Sequence, residues 1–275
     1  HQFMSGGDWL YFSFNYKCDS FSVGTTKGFI VYASHPVEER FQVVFDKGIG
    51  IVEVLRGTNI VALVGGGKEP AFPPNKVILW DDSTGTNIAE IECPSVIRSV
   101  KIQLDKVFIV TIDHVYIYDT RNMSLLRKFT TFTNLAGSCC LHGKQLQITT
   151  SFASASDTQG HVNLVKFDRT GNRSIQFKAH EGPLRCMCSS FDGNLLATSS
   201  EKGTIIRVFN VSSDSVTQEA EFRRGSDPAT IYSMSFSPLG NYLLVNSDKS
   251  VAHIFCLVKK ELNETSMLGG FGFGS

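Results

Sequence analysis

The chain has 275 residues, of which 42% are hydrophobic, and its 26 basic side chains are balanced by 26 acidic ones. This length allows one large domain or two small ones. A formal net charge of zero is unlike the basic character of a general nucleic-acid-binding protein, so any anion binding must be local. Seven cysteines without regular spacing indicate neither a zinc site nor a disulfide framework, and they favour reduced thiols in the cytoplasm. We therefore expect no nucleic acid, no metal and no cofactor.

Short segments rich in Val, Ile, Phe and Tyr alternate with Gly, Asp, Asn and Ser turns, which predicts an all-β fold. The segments form six repeated units, and an aromatic residue closes a strand in each unit. These aromatic residues are Tyr32, Trp80, Tyr118, Phe167, Phe209 and Phe255. A period of roughly 40–45 residues is typical of a WD40-like β-propeller, with four strands in each blade.

The units vary in how clearly their strands can be recognised. The predicted strands cover residues 10–14, 20–24 and 28–32; then 60–64 and 76–82; then 99–104, 107–110 and 115–118; then a loose fourth unit over 146–167; then 183–188, 192–200 and 203–209; and last 231–248 and 251–255. We expect a propeller domain over residues 8–257, followed by a flexible or incomplete C-terminal segment over residues 258–275. A closed propeller must pair its last blade with its first. Either the ring has six blades, or a seventh is missing in part from this sequence, and we expect seven.

Two features argue against an enzyme. The run Gly65-Gly66-Gly67-Lys68 lacks the spacing of a phosphate loop, and a proline follows where a helix would begin. No nucleophile has an evident His/Asp partner, and no metal cluster or pair of carboxylates stands out. We expect a binding protein.

The adjacent residues Arg223 and Arg224 lie between the fifth and sixth units. On an extended segment successive side chains point to opposite sides, so the two arginines would serve two pockets. A guanidinium binds phosphate oxygens in bidentate fashion, and Gly225 permits tight backbone geometry. The alternative is that both arginines are solvated charges on a loop.

Hydroxyl groups and cations recur near this pair in both units. Thr204 and Arg207 belong to the fifth unit, and Ser247, Lys249, Ser250 and His253 occupy the matching part of the sixth. Hydroxyls and backbone amides beside one arginine suit a phosphate on a polyol. The duplication predicts two similar sites.

The residues 197–209, reading Ala-Thr-Ser-Ser-Glu-Lys-Gly-Thr-Ile-Ile-Arg-Val-Phe, followed by Phe-Arg-Arg-Gly at 222–225, resemble the PROPPIN family, called WIPI proteins in animals. Residues 62–68 and 73–82 are similar to the second blade of the branch that contains the human WIPI-three and WIPI-four proteins. The resemblance extends over nearly the whole chain to about Leu257.

This resemblance implies a seven-bladed propeller that binds phosphatidylinositol 3-phosphate and 3,5-bisphosphate at two headgroup sites. The first site would consist of His180, Ser200, Lys202, Thr204, Arg207 and Arg223. The second would consist of Arg224, Ser247, Lys249, Ser250 and His253.

The resemblance also implies a scaffold without enzymatic activity that is recruited to membranes during autophagosome formation. We expect a monomer that is cytoplasmic and peripheral on phagophore (preautophagosomal) and endosomal membranes, with an autophagy lipid-transfer protein bound by the early blades. Apolar residues after Leu257 would be either the remains of a membrane-inserting loop or a disordered tail. The rival interpretation is a protein-interaction propeller whose arginines bind an acidic peptide without lipid.

Overall fold

The computed structural model describes residues 7–15, 18–55, 57–142, 151–168 and 171–257. In these ranges the chain forms 23 β-strands, and no helix that could span a membrane is found there. The all-β prediction is confirmed. The predicted C-terminal segment 258–275 lies outside the described residues.

The strands form six antiparallel sheets in chain order, five with four strands and the last with three. Sheet one contains β1 (Trp9–Phe14), β2 (Ser20–Thr25), β3 (Gly28–Ser34) and β4 (Val37–Val44); sheet two contains β5 (Ile49–Val54), β6 (Ile60–Gly65), β7 (Lys76–Asp81) and β8 (Thr86–Glu92); sheet three contains β9 (Ile97–Ile102), β10 (Lys106–Thr111), β11 (His114–Asp119) and β12 (Leu125–Thr130). Sheet four contains β13 (Cys139–His142), β14 (Ser151–Ala155), β15 (His161–Asp168) and β16 (Gly171–Lys178); sheet five contains β17 (Leu184–Ser189), β18 (Leu195–Ser200), β19 (Ile205–Asn210) and β20 (Thr217–Arg223); sheet six contains β21 (Ile231–Phe236), β22 (Tyr242–Ser247) and β23 (Ala252–Cys256).

Each sheet is a simple meander, and the first strands of consecutive sheets lie against one another: β1 with β5, β5 with β9, β9 with β13, β13 with β17 and β17 with β21. This arrangement of sheets around their first strands is a β-propeller with six blades in the described residues, which confirms the predicted architecture. A seventh blade stays a prediction.

Hydrophobic clusters fill the gaps between consecutive sheets and hold the blades together. Between sheets four and five, Leu164 and Ala153 pack with Leu196 and Phe209. Between sheets five and six, a second cluster joins the opposite face of sheet five to sheet six. Because side chains alternate along a strand, a blade that lies between two others buries both of its faces. Every strand of sheet five therefore points one set of residues toward sheet four and the other toward sheet six.

The outer strands and parts of the fourth unit differ from the sequence expectation. The outer strands β4, β8, β12 and β20 are mostly exposed, and each carries several charged or polar residues, so hydrophobic alternation did not mark them. The fourth blade begins earlier than predicted, at β13, and part of its predicted range, residues 146–150, lies outside the described residues.

A polar cluster, consisting of Tyr11, Ser13, Glu53 and Lys101, joins the first strands of sheets one, two and three. The Oε1 atom of Glu53 accepts hydrogen bonds from Tyr11 (2.6 Å), Ser13 (3.1 Å) and Lys101 (2.6 Å). Burial lowers the pKa of Lys101, but the Glu53 carboxylate outweighs this effect, so the pKa is raised overall and the ammonium stays charged. We call this group the Glu53 cluster.

Candidate functional site

The segment between β20 and β21, residues 224–230, is held against the turn that joins β18 to β19. The N–H of Arg224 donates to the carbonyl of Thr204 (2.8 Å), and the N–H of Ala229 donates to the carbonyl of Lys202 (3.1 Å). Gly203 in this turn has a φ of +63°, and a Cβ there would lie 1.9 Å from the carbonyl oxygen of Ala229. Only glycine permits this approach. We call residues 224–230 the junction segment and residues 200–204 the first turn.

The other end of the junction segment is held by the turn that joins β22 to β23, residues 247–250, which we call the second turn. The N–H of Asp248 donates to the carbonyl of Thr230 (3.1 Å), and the N–H of Thr230 donates to the Asp248 carboxylate (3.2 Å). Ser247 is buried and its hydroxyl accepts from the N–H of Lys249 (3.4 Å), while Ser250 adopts a left-handed φ of 55°. One segment therefore fixes both turns that carry the predicted site residues.

A row of polar side chains crosses the face of sheet five that looks toward sheet four. Thr198, Arg207 and Glu221 are directly paired across three adjacent strands, so their side chains share this face. Arg223 lies two residues beyond Glu221 on β20 and therefore shares it too. His180, in the connection from sheet four, places Nε2 at 3.0 Å from the Thr198 hydroxyl. The structure thus brings together His180, Arg207 and Arg223 of the predicted first site.

The two arginines of this row differ in what they contact. The Nε of Arg207 donates to Glu221 Oε2 (2.8 Å), and its Nη1 donates to the carbonyl of Ala179 (2.6 Å). Its side chain is 25% exposed. Arg223 is exposed, and its guanidinium has no polar partner in the part of the chain that the structure describes. Both arginines therefore retain N–H groups that could donate hydrogen bonds to an anion.

His180 is positioned by sheet four and is uncharged at neutral pH. The carbonyl of Gly160 accepts hydrogen bonds from the N–H groups of Ala179 (2.9 Å) and His180 (3.0 Å). The histidine is 4% exposed, and burial, together with the nearby Arg207 guanidinium, lowers its pKa to about 4. It acts as a neutral hydrogen-bonding group for Thr198.

The remaining predicted members of the first site belong to the first turn. Ser200 and Thr204 are buried, and Lys202 is exposed with no ion pair to any described side chain. Lys202 thus adds a free cation to the rim of the site.

The predicted second site lies in the gap between sheets five and six. His253 is paired with Val245, whose side chain packs toward sheet five, so His253 faces the same gap. Its ring lies 6.0 Å from that of Phe255, and Phe255 stacks on Phe222 at 4.7 Å. The Nδ1 atom of His253 is buried and has no hydrogen-bond partner among the described residues. Most buried polar atoms have a hydrogen-bond partner, so this nitrogen marks the gap as a candidate site.

Arg224 lies at the boundary of the two groups. Its Nε donates to the carbonyl of Gly203 (3.0 Å), and its Nη2 donates to the carbonyl of Asp227. The guanidinium is therefore held against the first turn, and no hydrogen bond joins it to the described residues of the second turn or to His253.

Sequence reasoning overlooked Glu221, Thr198 and the carbonyl of Ala179. The spacing of two residues that separates Glu221 from Arg223, and Thr198 from Ser200, was the available signal, because it places each pair on one face of a strand. The carbonyl of Ala179 left no sequence signal. No group of three or more metal-ligating side chains occurs in the described ranges.

Known proteins resemble this chain in sequence over most of its length. The family model of PROPPIN matches residues 9–270. The chain is 41% identical over 244 residues to SVP1-like protein 2 of Neurospora crassa, covering 88% of this chain and 54% of the relative. It is 32% identical over 253 residues to autophagy-related protein 18e of Arabidopsis thaliana, covering 89% of this chain and 65% of the relative. The chain thus spans about half to two thirds of the length of these curated relatives.

Solved structures show the same fold. The crystal structure of Hsv2 from Kluyveromyces marxianus has a TM-score of 0.78 at 23% identity, over 92% of this chain and 77% of that one. KlAtg21, solved in complex with the coiled coil of AgAtg16, has a TM-score of 0.73 at 26% identity, over 90% of this chain and 81% of that one. The family model covers most of the chain, and the chain therefore belongs to the PROPPIN family of β-propellers.

Proposed function

We propose that this propeller binds phosphatidylinositol 3-phosphate and 3,5-bisphosphate through two headgroup sites and acts as a membrane-recruited scaffold in autophagosome formation. Phosphoinositide binding is general to PROPPIN propellers, and relatives of this chain are named autophagy-related proteins. The observation that carries the proposal is the exposed Arg223, which has no partner among the described residues and lies beside Arg207 on the same face of sheet five. Two guanidinium groups with free donors suit a phosphate group.

The first site would bind one headgroup in the gap between sheets four and five. Arg223 and Arg207 would contact phosphate oxygens, and Lys202 would add charge at the rim. His180 would keep Thr198 and the Ala179–His180 backbone in place, since the imidazole is buried and neutral. The buried residues Ser200 and Thr204 would support the two ends of the first turn.

The second site would bind another headgroup in the gap between sheets five and six. The free Nδ1 of His253 and the exposed Lys249 and Ser250 supply polar groups there. Arg224 uses two of its five N–H donors on the carbonyls of Gly203 and Asp227, so three donors remain for this headgroup. The junction segment that carries Arg224 is fixed at both ends.

Two weak headgroup sites in neighbouring gaps of the propeller would recruit the protein to a membrane without a deep pocket. Exposed charge pairs contribute little individually and are screened by salt. When the first headgroup is bound, the second binds from the same membrane at high effective concentration, so avidity exceeds either affinity.

The protein would then act from the cytoplasm as a peripheral monomer on phagophore and endosomal membranes. The early blades would contact an autophagy lipid-transfer protein, as the family resemblance implies. Among the similar structures, KlAtg21 binds the coiled coil of AgAtg16, which supports a protein-binding role for propellers of this kind.

The test is flotation with phosphatidylcholine vesicles that contain either phosphatidylinositol 3-phosphate or unphosphorylated phosphatidylinositol. We expect flotation only with the phosphorylated lipid, weaker flotation of Arg223→Ala and of Arg224→Ala, and almost none of the double variant. The matched control is the Arg40→Ala/Arg98→Ala variant, which removes the same charge from exposed positions in sheets one and three.

Flotation of the folded double variant at the wild-type level would refute the site assignment. A folded wild-type chain that never floats would refute the lipid-binding function, and binding of an acidic peptide through the same arginines would then establish the protein-interaction propeller.

A further inference from the structure

Glu221 is an acidic residue inside the row of cations on sheet five. It is directly paired with Arg207 across β19 and β20, and its carboxylate lies 2.8 Å from the Arg207 Nε. It precedes Arg223 by two residues and shares its face of the strand. The carboxylate is 44% exposed, so it faces the same solvent from which an anion would arrive.

The contacts of Arg207 show what Glu221 does to this guanidinium. Of its five N–H donors, one on Nε bonds Glu221 and one on Nη1 bonds the carbonyl of Ala179. These two acceptors fix the plane of the guanidinium and leave three of its N–H groups without a described partner. The hydrogen bond therefore orients Arg207, whereas the charge of the carboxylate opposes any anion bound to the remaining N–H groups.

The negative charge of the other acidic group near Arg207, Glu181, is already balanced by a lysine. Glu181 forms an ion pair with Lys178 at 2.8 Å, and this hydrogen bond and charge lower the pKa of Glu181. The buried His180 is uncharged at neutral pH. Glu221 is thus the carboxylate that touches the anion-binding arginine directly.

We propose that Glu221 is a positioning residue that orients Arg207 and at the same time attenuates the affinity of the first site for a phosphate group. This inference rests on the proposed function. A carboxylate and a phosphate that share one guanidinium are about 6 Å apart, and their repulsion at an exposed site lowers affinity about three- to tenfold. Such attenuation keeps single-site binding weak and makes recruitment depend on both sites.

The experiment separates the charge of Glu221 from its hydrogen bond. Glu221→Gln retains an oxygen that can accept from the Arg207 Nε but removes the charge, whereas Glu221→Ala removes both. The control is Glu219→Gln, which removes the same charge from the same strand at an exposed position without an ion pair to a described side chain. Affinity for vesicles with phosphatidylinositol 3-phosphate is measured at low and high salt, and folding is checked by circular dichroism.

We expect Glu221→Gln to bind about three- to tenfold more tightly than the wild type at low salt, with a smaller gain at high salt. Glu221→Ala should gain less, because Arg207 is no longer oriented, and Glu219→Gln should match the wild type. A purely structural role of Glu221 would give a loss of binding instead of a gain.

Unchanged or weaker binding by folded Glu221→Gln would overturn the inference, as would an equal gain from Glu219→Gln. An Ala variant as tight as the Gln variant would overturn the positioning role. A wild type that binds no vesicle would overturn the proposed function and this inference with it, whereas a binding wild type with an unresponsive Gln variant would overturn the inference alone.

Discussion

Replacing Glu53 by glutamine should destabilise the propeller strongly, because one carboxylate oxygen joins three blades. Its side chain is 12% exposed and that of its partner Lys101 is 25% exposed, so the pair is mostly withdrawn from water. Breaking a buried ion pair by removing one partner costs about 3–5 kcal/mol, since the remaining charge is left uncompensated. The partial exposure of Lys101 places the expected loss near the lower limit, at about 3 kcal/mol in the free energy of unfolding.

Urea unfolding followed by tryptophan fluorescence would measure this loss, with Glu90→Gln as the matched control. Glu90 forms a more exposed pair with Lys76 at 2.9 Å, and removing it should cost less than about 1 kcal/mol. The double variant Glu53→Gln/Lys101→Met should recover part of the loss, because no unpaired ammonium remains. If Glu53→Gln and Glu90→Gln were destabilised equally, the idea that the Glu53 cluster joins the blades would be wrong.

Two further predictions concern the arginine pair and two buried histidines. Arg224→Ala should lower the free energy of unfolding by about 1–2 kcal/mol, because the Arg224 guanidinium donates hydrogen bonds to two backbone carbonyls. Arg223→Ala should change the free energy of unfolding by less than about 0.5 kcal/mol. Equal effects of the two substitutions in urea titrations would contradict this difference. Burial lowers the pKa of both His180 and His142 to about 4, so between about pH 6.5 and 4 the unfolded chain binds protons that the folded chain does not. Stability should therefore fall as the pH decreases through this window, by about 2 kcal/mol per histidine at pH 5, and a glutamine variant of either residue should show a flatter pH profile.

The blade arrangement could be predicted from the sequence because hydrophobic alternation and turn residues recur with the period of a propeller. The second strand of each unit is the clearest example, as in β18, where a largely buried run precedes the first turn. The outer strands could not be recognised, since strands such as β20 are mostly exposed and have few apolar residues, here Ala220 and Phe222.

The candidate site was predictable only in part. Arg223 and Arg224 are adjacent, so strand geometry alone separates their directions. The partner of Arg207 was not predictable, because register decides that Glu221 lies opposite it. The Glu53 cluster was beyond sequence reasoning for a related cause: Tyr11 and Lys101 are 42 and 48 positions from Glu53, and only the propeller brings their strands together.

The position of the arginine pair gives the propeller a physical link between its two candidate sites. Phe222 immediately precedes Arg223, and its ring stacks on Phe255, which in turn lies against His253. Packed aromatic rings resist displacement because protein interiors are close-packed. The backbone that presents Arg223 to one gap is therefore fixed by the same contacts that line the other gap. Two headgroups bound at these gaps would be held at a constant separation, which is the condition under which two weak contacts combine into firm attachment to a membrane.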